Sequence, residues 1–222
     1  MKNQTFNNFH YSEVNAYVID AFKAIATGTM DPHIILLYGK NSCGKTHLLH
    51  ALQYAATSAA VLYTTADSLR FDLVNAIKAG TVNEFSRKIA ETDILLIDDA
   101  QFLAGQELTQ EFLIDKNYVG TVVIAIDREI ESLHQLCAKS NLPFIYLELE
   151  PPDLSARIKI VKELAESSRL EIDEEVIHDI ASKHTDIRQI TGFMKTLQAT
   201  KIPPLISKRY EAIKSNTEKE KT

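Results

Sequence analysis

The 222-residue chain contains no tryptophan, two cysteines, seven glycines and six prolines. Each scarcity excludes something. Cys43 and Cys137 are too few for a disulfide framework, and neither sits in a Cys-x-x-Cys or Cys/His metal spacing, so both read as reduced thiols. So little glycine and proline, beside 45% hydrophobic and 24% charged residues, excludes wholesale disorder and fibrous architectures. No apolar run is long enough to cross a bilayer. The opening Met1-Lys2-Asn3-Gln4-Thr5-Phe6-Asn7-Asn8-Phe9 also lacks the apolar stretch of a secretory signal, so a cytoplasmic protein with no membrane contact is expected. Positive charge is short as well: 24 Lys plus Arg face 30 Asp plus Glu, a net charge of −6. That excludes coating nucleic acid through bulk charge and leaves only local contacts. There is no internal repeat and no low-complexity tract.

What is present is an alternation. Apolar runs bounded by turn residues recur at His33–Tyr38, Ala59–Tyr63, Asp93–Ile97, Thr121–Ile126 and Phe144–Leu149 and read as buried strands. Helix-period segments lie around them, at Asn15–Ala26, Lys45–Ala56, Leu69–Lys78, Glu84–Glu91, Leu108–Asp115 and Glu129–Ala138. This order predicts an α/β core with a five-stranded parallel sheet over residues 1–152. After Pro151-Pro152 the strand signal stops. Asp153 is placed to cap a helix carrying Leu154, Ile158, Val161 and Leu164, and helices follow at Asp173–His184 and Asp186–Thr200, so residues 153–200 are expected to form a small three-helix lobe. Residues 201–222, with six Lys plus Arg and three Glu, read as a tail that frays.

The strongest chemical signal is Gly39-Lys40-Asn41-Ser42-Cys43-Gly44-Lys45-Thr46, a complete G-x-x-x-x-G-K-T between a predicted strand and a predicted helix. Glycines let backbone N–H groups converge on phosphates, Lys45 reaches the β- and γ-phosphates, and Thr46 offers a hydroxyl to magnesium. A second run, Asp93-Ile94-Leu95-Leu96-Ile97-Asp98-Asp99, delivers two carboxylates to the end of a strand where ligands gather in parallel sheets. Such a pair also caps helices. Beside a P-loop it reads as Asp98 holding magnesium and Asp99 polarising the attacking water. Thr121–Ile126 ends in Asp127-Arg128, either a polar sensor near the γ-phosphate or a helix cap with a surface arginine. Arg188 opens the last helix and is either solvated or directed at the phosphates. His47 and His50 lack a third ligand and read as packing or surface residues, whereas Cys43, near a helix N-terminus, invites a lowered thiol pKa.

Taken together these residues resemble the AAA+ domain of bacterial DnaA replication initiators. The resemblance runs from Thr5 to about Ala199 and rests on Thr5–Phe9, on Gly44-Lys45-Thr46-His47-Leu48-Leu49-His50-Ala51, and on Asp93–Asp99 continuing into Gln101-Phe102-Leu103-Ala104-Gly105. Glu150–Leu154 and Asp186–Gly192 look like that family's lid entry and second sensor. The resemblance implies a P-loop AAA+ fold and ATP or ADP with Mg2+ as cofactors. It places Asp127 as first sensor, Arg188 as second sensor, and Phe9, Asn15 and His47 around the nucleotide.

Three departures shape the functional expectation. The chain ends about twenty residues past its lid, where such initiators carry a helix-turn-helix domain, so sequence-specific duplex binding is expected to be weak or absent. Where the family places an arginine finger, this sequence reads Ala138-Lys139-Ser140-Asn141-Leu142-Pro143. A finger is typically worth about 10³ to 10⁵ in rate, and Lys139 lacks the planar fork that delivers it, so slow ATP hydrolysis is expected. Gly105-Gln106-Glu107-Leu108-Thr109 lacks the family's basic residues, so single-stranded DNA contact is expected to be weak. The expected partner is a full-length initiator or another replication protein, joined in a nucleotide-dependent hetero-oligomer. The alternatives are a clamp-associated regulator of initiator ATP hydrolysis, similar to Hda, and a helicase-loader-like ATPase.

Overall fold

Runs of Ile, Leu and Val buried on both faces can only pair side by side, and here they form one parallel sheet. The computed structural model describes residues 4–31, 33–103, 109, 120–128 and 142–199. Its strands are β1 (Ile34–Tyr38), β2 (Val61–Thr65), β3 (Ile94–Asp98), β4 (Thr121–Ile126) and β5 (Phe144–Glu148), in the spatial order β2-β3-β4-β1-β5 with every pair parallel. β3 and β4 are buried throughout and β1 nearly so, while the edge strands β2 and β5 are only part-buried. That is why the central strands are continuous apolar runs and the edges carry Tyr, Thr and Glu.

The expected strand at residues 59–63 lies two residues further on, at Val61–Thr65. Its start is displaced because Ala60 is held outside the strand: its N–H donates to Asp93 Oδ2 at 2.7 Å and its carbonyl accepts from Asp93 N and Ile94 N. Its end moves because Thr65 caps the next helix, Oγ1 accepting from Ser68 N at 3.2 Å. The helices of this part are α1 (Ala16–Ala26), α2 (Lys45–Ala55), α3 (Ala66–Ala79) and α4 (Val82–Ala90). α3 and α4 begin three and two residues before the segments expected from periodicity, because Asp67, Ser68 and Asn83 break the apolar pattern in their first turns. The helix expected at residues 129–138 and the tail from 201 lie outside the described residues, as does the helix expected at 108–115 apart from Thr109, which is helical and buried.

The chain divides into two compact units, Met1–Phe9 with Glu13–Pro151, and His10–Ser12 with Pro152–Thr222. The short segment His10–Ser12, expected with the core, belongs instead to the helical unit. There Ser12 Oγ accepts from Asp153 N at 2.8 Å, and His10 Nε2 meets Glu163 Oε2 at 2.9 Å. The helical unit holds α5 (Leu154–Ser168), α6 (Glu174–Lys183) and α7 (Ile187–Ala199). They close on Val161, Ile177, Ile180, Ile190, Met194 and Leu197. Asp153 is the N-cap of α5, Oδ1 accepting from Ala156 N at 2.8 Å. Arg157 ties α5 to its neighbours by donating Nε–H to the Ala181 carbonyl and Nη1–H to the Pro152 carbonyl.

In the sheet unit, Asn15 at the head of α1 is 2% exposed and spends both ends of its amide on one residue. Nδ2 donates to the Glu150 carbonyl and Oδ1 accepts from Glu150 N, both at 2.9 Å. Asn15→Ala strips both partners from that backbone and is expected to destabilise the sheet unit by about 1–3 kcal/mol. Asp153→Ala removes one cap and is expected to cost the helical unit about 1 kcal/mol. Urea unfolding followed by hydrogen exchange, read separately on the two units, checks both values.

Candidate nucleotide site

The loop after β1 is shaped by close contacts. Tyr38 pairs with Ile126, and Gly39 N donates to the Ile126 carbonyl at 3.1 Å, so the loop leaves the sheet beside the end of β4. A Cβ on Gly39 would come within 2.6 Å of Cys43 Sγ and 2.8 Å of the Leu149 carbonyl oxygen. Gly44 turns the chain into α2 with φ of +106°, and a Cβ there would strike the Phe9 ring at 2.7 Å. Ser42 also takes a left-handed backbone, φ 64°. No side chain caps α2, so its first-turn N–H groups stay available to an anion.

Lys45 is the unusual charge. Its side chain is 7% exposed, and Nζ donates to the Gly39 carbonyl at 2.6 Å and the Lys40 carbonyl at 3.2 Å. No carboxylate pairs with it among the described residues. Carbonyl dipoles stabilise a buried ammonium only in part, so the arrangement favours an incoming anion.

At the carboxyl end of β3, Asp98 is 2% exposed. Its Oδ2 accepts from Thr46 Oγ1 at 2.7 Å and from Tyr63 OH at 3.0 Å, and its Oδ1 accepts from Asp99 N at 2.9 Å. A carboxylate and an adjacent hydroxyl suit magnesium, which keeps most of its ligands as water and phosphate. Among the described residues no group of three or more His, Cys, Asp or Glu forms a full protein cage. Asp99 adopts φ 53°, and its Oδ1 accepts from Gln101 Nε2 at 3.1 Å. Asp127 follows β4, between the P-loop strand and β3. Its Oδ1, like Ser42 Oγ and Gln101 Oε1, is buried without a hydrogen-bond partner among the described residues. Buried polar atoms of this kind are costly to leave unsatisfied, and three of them beside one sheet edge mark a place built to receive polar groups.

The remaining sequence candidates are placed as follows. Lys40 and Asn41 are exposed on the loop, and Thr46 is exposed in the first turn of α2. Cys43 is 6% exposed, and burial pushes its thiol up from the ordinary range, outweighing the opposing pull of Lys45. The lowered pKa expected from the helix terminus is thereby reversed, because loss of water costs the thiolate more than the amides return. His47 Nε2 donates to the Thr5 carbonyl and Asn8 Oδ1, both at 3.1 Å, and its ring meets Phe9 edge-on at 5.1 Å. Phe9 is 7% exposed, with its ring against Gly44. His50 lies over the Tyr63 ring at 4.3 Å. Arg188 is exposed in the first turn of α7, in the helical unit, where its N–H donates to Asp186 Oδ1. Residues 138–141, where the arginine finger is missing from the sequence, lie outside the described residues.

Sequence reasoning missed Tyr63 and the tie from Gln101 to Asp99. Gln101 stands two residues after Asp99 in a 3-10 turn, so its spacing was readable. Tyr63 was not, because its reach to Asp98 depends on β2 lying next to β3.

Over residues 1–143 the chain matches the bacterial DnaA ATPase domain. It is 33% identical over 207 residues to the chromosomal replication initiator protein DnaA of Helicobacter hepaticus, an alignment covering 88% of this chain and 45% of that protein. Its fold is similar to domain III of the Thermotoga maritima replication initiation protein DnaA, with a TM-score of 0.80, 30% identity and 90% of each chain covered. It is likewise similar to AMPPCP-bound DnaA from Aquifex aeolicus, with a TM-score of 0.80, 29% identity, and 100% of this chain and 70% of that one covered. The chain spans about half the length of the curated relatives it matches. With an AAA+ sheet, a complete P-loop and a paired carboxylate strand in the same unit, this chain belongs to the family of bacterial DnaA ATPase domains.

Proposed function

We propose that the sheet unit binds ATP or ADP with magnesium, and that the bound nucleotide governs contacts with a full-length replication initiator or another replication protein during initiation of chromosomal replication. One observation carries this reading: Lys45, a buried ammonium bonded among the described residues only to two carbonyls of its own loop, sits beside uncapped helix amides. Both features are unfavourable until a polyphosphate arrives. The AMPPCP in the Aquifex relative supports the choice of a nucleoside triphosphate.

In this reading the amides of residues 39–46 surround the phosphates and Lys45 turns its ammonium from the loop carbonyls to the β- and γ-oxygens. Thr46 and Asp98 would hold Mg2+, which would offset the charge of the phosphates. Asp99 polarises the attacking water, Asp127 senses the γ-phosphate from the end of β4, and Arg188 acts as second sensor from the helical unit. Phe9 and Asn15 line the base side through the segments they brace rather than through free polar groups, since the Asn15 amide is already paired with Glu150. Without an arginine at 138–143 the chain is a poor activator of a neighbour's ATP, which suits an end-cap or brake on initiator assembly. Single-stranded DNA contact is weak, since Gly105–Thr109 offers no basic side chain, although a similar solved structure is a replication initiator DnaA bound to AMPPCP and single-stranded DNA.

ATP at a hundredfold excess over its dissociation constant is expected to stabilise the chain by about 2.7 kcal/mol, and Lys45→Ala to abolish most of that gain in a thermal shift experiment. Light scattering of the chain mixed with its cell's full-length initiator is expected to give a joint complex in magnesium with ATP and none with ADP. A complex of equal size in both nucleotides would remove the switch.

A further inference from the structure

We propose that Tyr63 is a positioning residue for the magnesium carboxylate, its hydroxyl fixing the direction in which Asp98 presents its second lone pair to the cation's water shell. The inference rests on the nucleotide reading above and adds a residue to it. Asp98 is held by three donors, Thr46 Oγ1 at 2.7 Å, Tyr63 OH at 3.0 Å and Asp99 N at 2.9 Å. Two of these are not independent of the chemistry. Thr46 belongs to the loop that meets phosphate and must itself turn a lone pair toward the cation, and Asp99 is the neighbouring residue with its own role at the γ-phosphate. Tyr63 alone comes from an element with no other part in the site.

The phenol is well placed for this. On β2, Thr65 pairs with Asp98 and Tyr63 with Leu96, so the Tyr63 ring lies on the same face as Asp98 and reaches one pair further along to meet it. His50, one helical turn beyond Thr46 on α2, lies over the ring at 4.3 Å with 34° between the planes. Thr46 and His50 thus grip the same carboxylate–phenol pair from one helix face. Partners that orient a metal ligand from behind commonly change metal affinity by about 10- to 100-fold when removed.

The test is Tyr63→Phe in the full chain, which keeps the ring and its contact with His50 while deleting the hydroxyl. Binding of ATP is followed by thermal shift in EDTA and at stepped magnesium concentrations. In EDTA the variant is expected to match the parent within about twofold, whereas the magnesium concentration giving half-maximal stabilisation rises about tenfold. In an Asp98→Asn background the same change is expected to add nothing, because the hydroxyl acts through that carboxylate. An unchanged magnesium midpoint beside a responsive parent overturns the assignment of Tyr63, as does an equal loss in the Asp98→Asn background. A parent that gains no stability from ATP in either buffer overturns the nucleotide reading, and this inference with it.

Discussion

A single buried ammonium organises the sheet unit. Lys45 is enclosed by its own loop, and the carbonyls of Gly39 and Lys40 compensate it only in part. To keep that loop folded around a charge, glycine is required where Cys43 and Leu149 crowd in, and again where Phe9 lies against the turn into α2. The sheet supplies the other side of the balance. Parallel pairing of β1 with β4 and β4 with β3 brings Asp127, Asp98 and Asp99 to the same edge as the loop, so opposite charges share a region without neutralising each other directly.

That separation is maintained by hydrogen bonds that occupy the carboxylates locally. Asp98 is satisfied by two hydroxyls and an amide, and Asp99 by Gln101. Neither reaches for Lys45. A direct ion pair would stabilise the empty site and oppose any ligand with phosphate charge, whereas neutral donors hold the carboxylates in place at little electrostatic cost.

Much of this is legible in the amino-acid sequence. The P-loop and the Asp98-Asp99 strand announce themselves by local spacing, and the central strands by unbroken apolar runs. Edge strands are harder: β2 is only part-buried and its polar end looks like a turn, so the apolar run at Ala59–Tyr63 misplaces by two residues bounds that the Asp93–Ala60 and Thr65–Ser68 bonds define. Long-range partners left no local trace. Asn15 meets Glu150 across 135 residues of sequence, and Tyr63 meets Asp98 across 35, and no periodicity encodes either meeting. The thiol of Cys43 misled for a related reason, since proximity to helix amides is visible in sequence but depth of burial is not.

The assignment of His10–Ser12 to the helical unit has a topological consequence. The chain crosses between the units at Phe9–His10, at Ser12–Glu13 and at Pro151–Pro152, so three covalent threads join them instead of the one a simple appended lobe would have. Excision follows the same logic. A fragment that starts at Pro152 leaves behind the Ser12 hydroxyl that accepts from Asp153 N and the imidazole that meets Glu163, so the lobe is not separable by one cut.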